Sequence, residues 1–370
     1  MKKVLLLLLT FCFVIVSCQN TDDTNPTNNE SFDRTAALTY WADSFIIPDF
    51  TNYESKTVDL ETKTFNFNAE PNAANLIALR ASWLEAYKMY QHVQLYALGK
   101  AEEINFIQKT NTYPTDVVGI NENIISSSAN FSLLSQISKQ GFPAFDFMIN
   151  GLGNSDTQIL YFYTSNTNAN SYKNYLEKLA QTLRVDSSVI LNNWNSSYRA
   201  TFIASNGNTV SSSVNRMTNI FVKNFEKNIR TAKVGIPSGL FSNGTTFPEK
   251  VEGFYKNDVS LILLNESVKA ASDFFVGSVN QNNARSFKAY LDFVNAKRNG
   301  QNLSDIIAIQ FNTVLYSNNT LNASFSNQVN TDNSKMISSF DTMQQQVVYL
   351  KLDMMQALNI TIDYVDSDGD

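Results

Sequence analysis

Between residues 72 and 100, apolar side chains return every three or four positions: Leu76, Leu79, Trp83, Leu84, Tyr87, Tyr90, Val93, Leu95 and Leu98. That period lines them along one face of a helix, and it persists for too many turns to suit a strand. Pro71 stands before the run and Gly99 after it, as residues that open and close helices do. The same spacing predicts helices over residues 32–47, 171–202, 213–234, 248–276, 285–296, 303–316 and 335–358. Strict alternation is rare, and residues 359–364 are read as a short strand or extended end. A chain of this pattern buries its apolar stripes helix against helix, so the expected fold class is all-α, built from helical bundles.

Glycine and proline, 13 and 7 in 370 residues, fall mainly at the ends of these patterns and punctuate them. Gly207 lies in a polar stretch midway, which divides the chain into an N-terminal bundle, residues 31–206, and a C-terminal bundle, residues 207–370. A boundary at Gly235 is the near alternative. With 43% hydrophobic residues, a chain of this length can bury two such cores.

The N-terminus has a different character. Lys2 and Lys3 precede an apolar run from 4 to 16, then Ser17 and Cys18, which is the layout of an export signal. The run is shorter than the roughly 20 apolar residues that a permanent span requires. Ile15-Val16-Ser17-Cys18 resembles the lipobox of bacterial lipoproteins, with an ordinary secretory signal as the alternative. The resemblance implies removal of residues 1–17 and lipidation of Cys18 by acyl chains such as palmitate, which would hold the protein to a membrane. Residues 18–30 are polar and are expected to form a flexible tether. Gln19 replaces the Asp that resembles an inner-membrane retention signal, so the outer membrane is the expected destination. Asp22 and Asp23 resemble a surface-export tag, and a polar linker reads the same way, so both faces of that membrane stay open. Of the two cysteines, Cys12 lies in the removed segment, leaving the mature chain no disulfide. The net charge of −6 argues against nucleic acid or an anionic lipid surface as the main partner.

Four blocks stand out: Ile47-Pro48-Asp49-Phe50 leading to Arg80-Ala81-Ser82-Trp83; Tyr113-Pro114-Thr115-Asp116 leading to Gln140-Gly141-Phe142-Pro143-Ala144-Phe145-Asp146; Lys233-Val234-Gly235-Ile236-Pro237 leading to Pro248-Glu249-Lys250-Val251-Glu252; and Leu358-Asn359-Ile360-Thr361-Ile362-Asp363-Tyr364. In order and spacing they resemble the imelysin family, helical exported proteins connected with an insulin-cleaving membrane peptidase and with bacterial iron uptake. The resemblance implies two bundle-like halves with a functional cleft between them.

The family signature is G-x-H-x-x-E at a helix start, a His and a Glu three residues apart that converge on one metal. Here the matching positions hold Gly141, Pro143 and Asp146. Proline has no side-chain donor, and Asp reaches one methylene less far than Glu. His92, the single histidine, lies in the long helix outside the motif and is read as packed or solvent-facing. A site of two or more histidines is excluded within one chain, while oxygen-ligated divalent ions remain compatible with the carboxylates. Pro143 also suits a first helical turn, where its missing N–H costs nothing, and Asp146 near that end would suit the helix dipole. The acidic terminus 366–370 is read as a solvated tail.

The resulting expectation is a noncatalytic envelope binding protein linked to iron or haem uptake, its cofactor and metal unspecified, with an outer-membrane transport partner. Its cleft residues would be Asp146, Pro143, Gly141, Glu252, Glu85, Arg80, Tyr113 and Asp116. Asp146 and Glu252 would serve as oxygen ligands or acceptors, Arg80 as anion partner or ion-pair former, and Tyr113 as a wall. A carboxylate-metal peptidase and a glycan-capturing surface lipoprotein are the alternatives. The anchor is tested directly: Cys18→Ser is expected to move the protein from the membrane to the soluble fraction, and continued membrane retention would contradict it.

Overall fold

The computed structural model describes residues 31–277 and 285–364. The expected export signal, Cys18, the expected tether to residue 30 and the acidic terminus 366–370 lie outside the described residues. The principal helices are α1 (Arg34–Trp41), α2 (Ile47–Ala69), α3 (Ala73–Val93), α4 (Gly141–Asp146), α5 (Ala169–Asn193), α6 (Ser213–Lys223), α7 (Ser260–Val276), α8 (Leu303–Asn318) and α9 (Phe325–Val348). The fold is an all-α bundle, as the periodicity predicts.

Helix α2 goes beyond that prediction. Its buried stripe is Phe50, Tyr53, Thr57, Leu60, Thr64 and Phe67, spaced by three and four. Two threonines on the stripe dilute its apolar signal, yet each is satisfied locally. Thr64 Oγ1 donates to its own helix at Leu60 O, 2.8 Å, and Thr57 Oγ1 meets Ser187 Oγ on α5 at 2.8 Å. α2 therefore packs between α3 and α5 as the centre of the first half.

The predicted helix 248–276 begins only at Ser260. Gly253 (φ 70°) and Asn257 (φ 66°) are left-handed, a conformation no helix carries, so residues 248–259 form a folded loop. Helix α6 runs into a π-helical segment, Asn224–Gly235, which packs on α7 and α9. Of the two readings of residues 359–364, no strand forms, and the chain end is held where Asn219 Nδ2 donates to Thr361 O at 2.9 Å and Asp363 N to Asn219 Oδ1 at 3.0 Å. Among the described residues the β-structure is one two-residue hairpin, Lys297–Arg298 against Gln301–Asn302. Its turn residues Asn299 (φ 52°) and Gly300 (φ 82°) supply the paired positive φ angles that a tight hairpin requires.

The stretches on either side of Gly207 share their core, and residues from Phe32 onward form one unit. α1 lies against the C-terminal stretch, Trp41 and Phe287 rings 4.6 Å apart and Arg34 Nη2 donating to Tyr290 Oη at 2.8 Å. α3 packs on α7. These contacts join the N-terminal and C-terminal stretches in one core.

Candidate functional site

The site is built around α4. Gly141 has φ 77°, and a Cβ there would come within 2.2 Å of Thr110 O, so glycine alone lets the helix start against that backbone. Phe142 then stacks on Tyr87 of α3, rings 4.5 Å apart and 8° from parallel, while Trp83 Nε1 donates to Phe142 O at 3.3 Å. Pro143 occupies the first turn, where no N–H is needed. Asp146 is the sixth helical residue, deeper than the helix start where its carboxylate would favour the dipole.

Instead the Asp146 carboxylate faces the loop of residues 248–259. Oδ2 accepts from Tyr255 N at 2.9 Å, and Oδ1 accepts from Lys256 N at 3.0 Å and Asn150 Nδ2 at 2.9 Å. Burial raises its pKa to about 7 against the lowering effect of these donors. A cavity of about 130 Å³ lies beside it, lined by Tyr113, Pro143, Asp146, Glu249, Phe254 and Tyr255. Burial, helped by the Asp146 charge, pushes Tyr255 up to about 12, and burial with the Glu252 charge holds Tyr113 far above its usual range.

Glu252 does not line this cavity but forms a buried ion pair with Lys233 of the π-helical segment, each side chain 2% exposed. Gln91 of α3 bridges the pair, accepting from Lys233 Nζ at 2.9 Å and donating to Glu252 Oε1 at 3.2 Å. Asn111 Nδ2 adds a donor to Glu252 Oε1 at 2.7 Å, and Tyr87 Oη donates to Asn111 Oδ1. Burial lowers the Lys233 pKa, and Glu252 works against that shift.

The other expected residues serve as scaffold. Arg80 donates twice to Ile149 O, at 3.1 and 2.9 Å, and pairs with Asp156 at 2.8 Å, so it is an ion-pair former. Asp116 caps the helix Val117–Ser126 by accepting from Gly119 N at 2.9 Å. Glu85 is exposed and pairs with Lys88 at 3.0 Å. His92 is half-buried and meets Glu266 of α7 at 3.3 Å. Sequence reasoning did not single out Lys233, Gln91, Asn111, Glu249 or Tyr255. Gln91 carried a signal, because a carboxamide four residues after Tyr87 falls on an otherwise apolar stripe.

The imelysin family profile matches residues 46–352, most of the chain. The chain belongs to the imelysin family. Solved structures of the same fold include a protein from Parabacteroides distasonis ATCC 8503 whose assigned name is iron-regulated protein A precursor. It is 15% identical with a TM-score of 0.69, over 89% of this chain and 97% of that one. An imelysin-like protein from Psychrobacter arcticum 273-4 is 14% identical with a TM-score of 0.62, over 90% and 97%. Among curated proteins, none matches this chain.

The residues at the family motif do not fit a resident metal. Pro143 offers no ligand atom, three N–H groups occupy the oxygens of Asp146, and no cluster of three His, Cys, Asp or Glu side chains suited to a metal exists among the described residues.

Two outcomes are expected. Lys233→Met leaves Glu252 buried without its cation and should cost about 3–5 kcal/mol in urea unfolding, most of it recovered when Glu252→Gln is added. If the double variant is no more stable than the single one, the pair is not the source of the loss. For Asp146, the folded state keeps a proton that the unfolded chain releases near pH 4. Its contribution is complete below that pH and is lost as pH rises through about 7. Asp146→Asn should flatten the fall in unfolding free energy between pH 4 and 7 by roughly 1.4 kcal/mol per pKa unit.

Proposed function

We propose that this imelysin-family protein is a noncatalytic binding component of the bacterial outer envelope, held by lipid on Cys18 and linked to iron or haem uptake. One observation carries the reading: at the motif where the family places a histidine and a carboxylate, the chain has Pro143 and an Asp146 committed to backbone donors. A group holding three N–H donors in place is positioned to shape a binding wall. The adjoining cavity presents the Glu249 carboxylate and the tyrosines Tyr113 and Tyr255, oxygen functions on an apolar wall that suit a small complexed ligand. The name of the Parabacteroides protein of the same fold supports the link to iron.

Titration of the purified protein with ferric citrate and with haem, followed by tyrosine and tryptophan fluorescence, tests this. Saturable binding of one of them is expected; the cavity of about 130 Å³ has no room for haem, so Glu249→Gln should weaken ferric citrate binding about tenfold, through loss of roughly 1.4 kcal/mol, and leave haem binding unchanged. Absence of binding to both would remove the link to iron. Incubation with unfolded polypeptides, with and without divalent ions, is expected to give no cleavage. Metal-dependent cleavage abolished by Asp146→Ala would replace the binding reading with a peptidase.

A further inference from the structure

A second cavity, about 230 Å³, lies between the end of α3 and the junction of α6 with the π-helical segment. Its polar lining is dominated by carboxamides: Gln94, Asn105, Gln108, Asn224 and Asn228. Gln94 and Asn224 are each 2% exposed. Asn224 Oδ1 accepts from Asn228 Nδ2 at 2.9 Å, but Asn224 Nδ2 has no hydrogen-bond partner among the described residues. A buried donor left unpaired costs on the order of 1–3 kcal/mol, so a group that accepts from it is strongly favoured there. Gln94 is fixed in place, its Nε2 donating at 2.8 Å to the Gln91 oxygen that also takes Lys233 Nζ.

Of the two charges at the cavity, one is ion-paired and the other is solvent-exposed. Glu102 pairs with Arg216, and Lys223 Nζ lies 6.0 Å from the centre of the Tyr364 ring. What remains to read a ligand is a set of carboxamides, which donate and accept in equal measure, as hydroxyl groups do. Ala97, Ile107 and Ile220 add an apolar wall. The volume falls below the range of roughly 300–1,000 Å³ common for drug-sized ligands, which points to a smaller molecule.

We infer that this cavity is a binding site for a neutral, hydroxyl-rich molecule of monosaccharide size. A rotation of the Asn224 side chain brings its shielded, unpaired Nδ2 onto one ligand hydroxyl, Gln94, Gln108 and Asn228 exchange hydrogen bonds with others, and the apolar wall takes the C–H face of the ring. The site is separate from the cavity at Asp146, with which it shares no lining residue.

Calorimetric titration of the mature protein with glucose, galactose, mannose and N-acetylglucosamine tests the inference, with glycine and glutamate as charged comparisons. Saturable binding of at least one sugar is expected, weakened tenfold or more by Asn224→Leu and by Asn228→Ala, and unchanged by Glu249→Gln at the other cavity. Circular dichroism melts establish that each variant is folded, and Asn228→Ala carries the test if Asn224→Leu does not fold. Absence of sugar binding, sugar binding that a folded cavity variant leaves intact, or binding of the charged compounds alone would overturn it.

Discussion

The buried pair of Lys233 and Glu252 is the interaction on which the site's architecture turns. An ammonium and a carboxylate withdrawn from water each lose several kcal/mol of hydration, which only close contact and further hydrogen bonds offset. Gln91 and Asn111 supply those bonds, and in doing so they join four separate stretches: α3, the segment at Asn111, the π-helical segment and the loop of residues 248–259. An apolar contact could slide by part of a side chain without losing much. This charged contact cannot, because any shift leaves a bare ion in the core.

That rigidity explains how an irregular loop forms one wall of the cavity. Residues 248–259 contain left-handed Gly253 and Asn257 and have no helix to hold them. They are fixed at one point by Glu252 in the ion pair and at another by the Tyr255 and Lys256 amides on Asp146. Between those points the backbone presents Phe254 and Tyr255 to the cavity. At the positions of the imelysin motif, Gly141 thus admits the helix, Pro143 fits its first turn and Asp146 receives the loop.

Much of the helical framework was legible because an amphipathic stripe is a local property, readable within a dozen residues. Helix α2 escaped that reading through Thr57 and Thr64, whose hydroxyls are satisfied by a helix carbonyl and by Ser187, contacts invisible to a count of apolar residues. The start of α7 was read twelve residues too early because the loop before it holds Val251, Phe254, Tyr255 and Val259, whose spacings of three and four imitate a helix. Of the expected site residues, Asp146, Pro143 and Tyr113 line the cavity, Gly141 shapes its helix and Glu252 stands behind it. Arg80, Asp116 and Glu85 are engaged in pairing or capping, roles that a charged residue beside a motif does not reveal in sequence.

The order of residues alone determined that this chain is helical, which family it resembles, and that its motif has no histidine. Those properties rest on composition and short-range spacing, and a single sequence contains them in full. Only the tertiary structure decided which polar groups are buried and what they do there. Gln91 meets Glu252 across 161 positions, Lys233 meets Gln91 across 142, and Asp146 meets the Tyr255 amide across 109. Whether a carboxylate serves as a free ligand or as the anchor of a loop depends on those distant partners, because removal from water favours whatever donors the fold brings within reach.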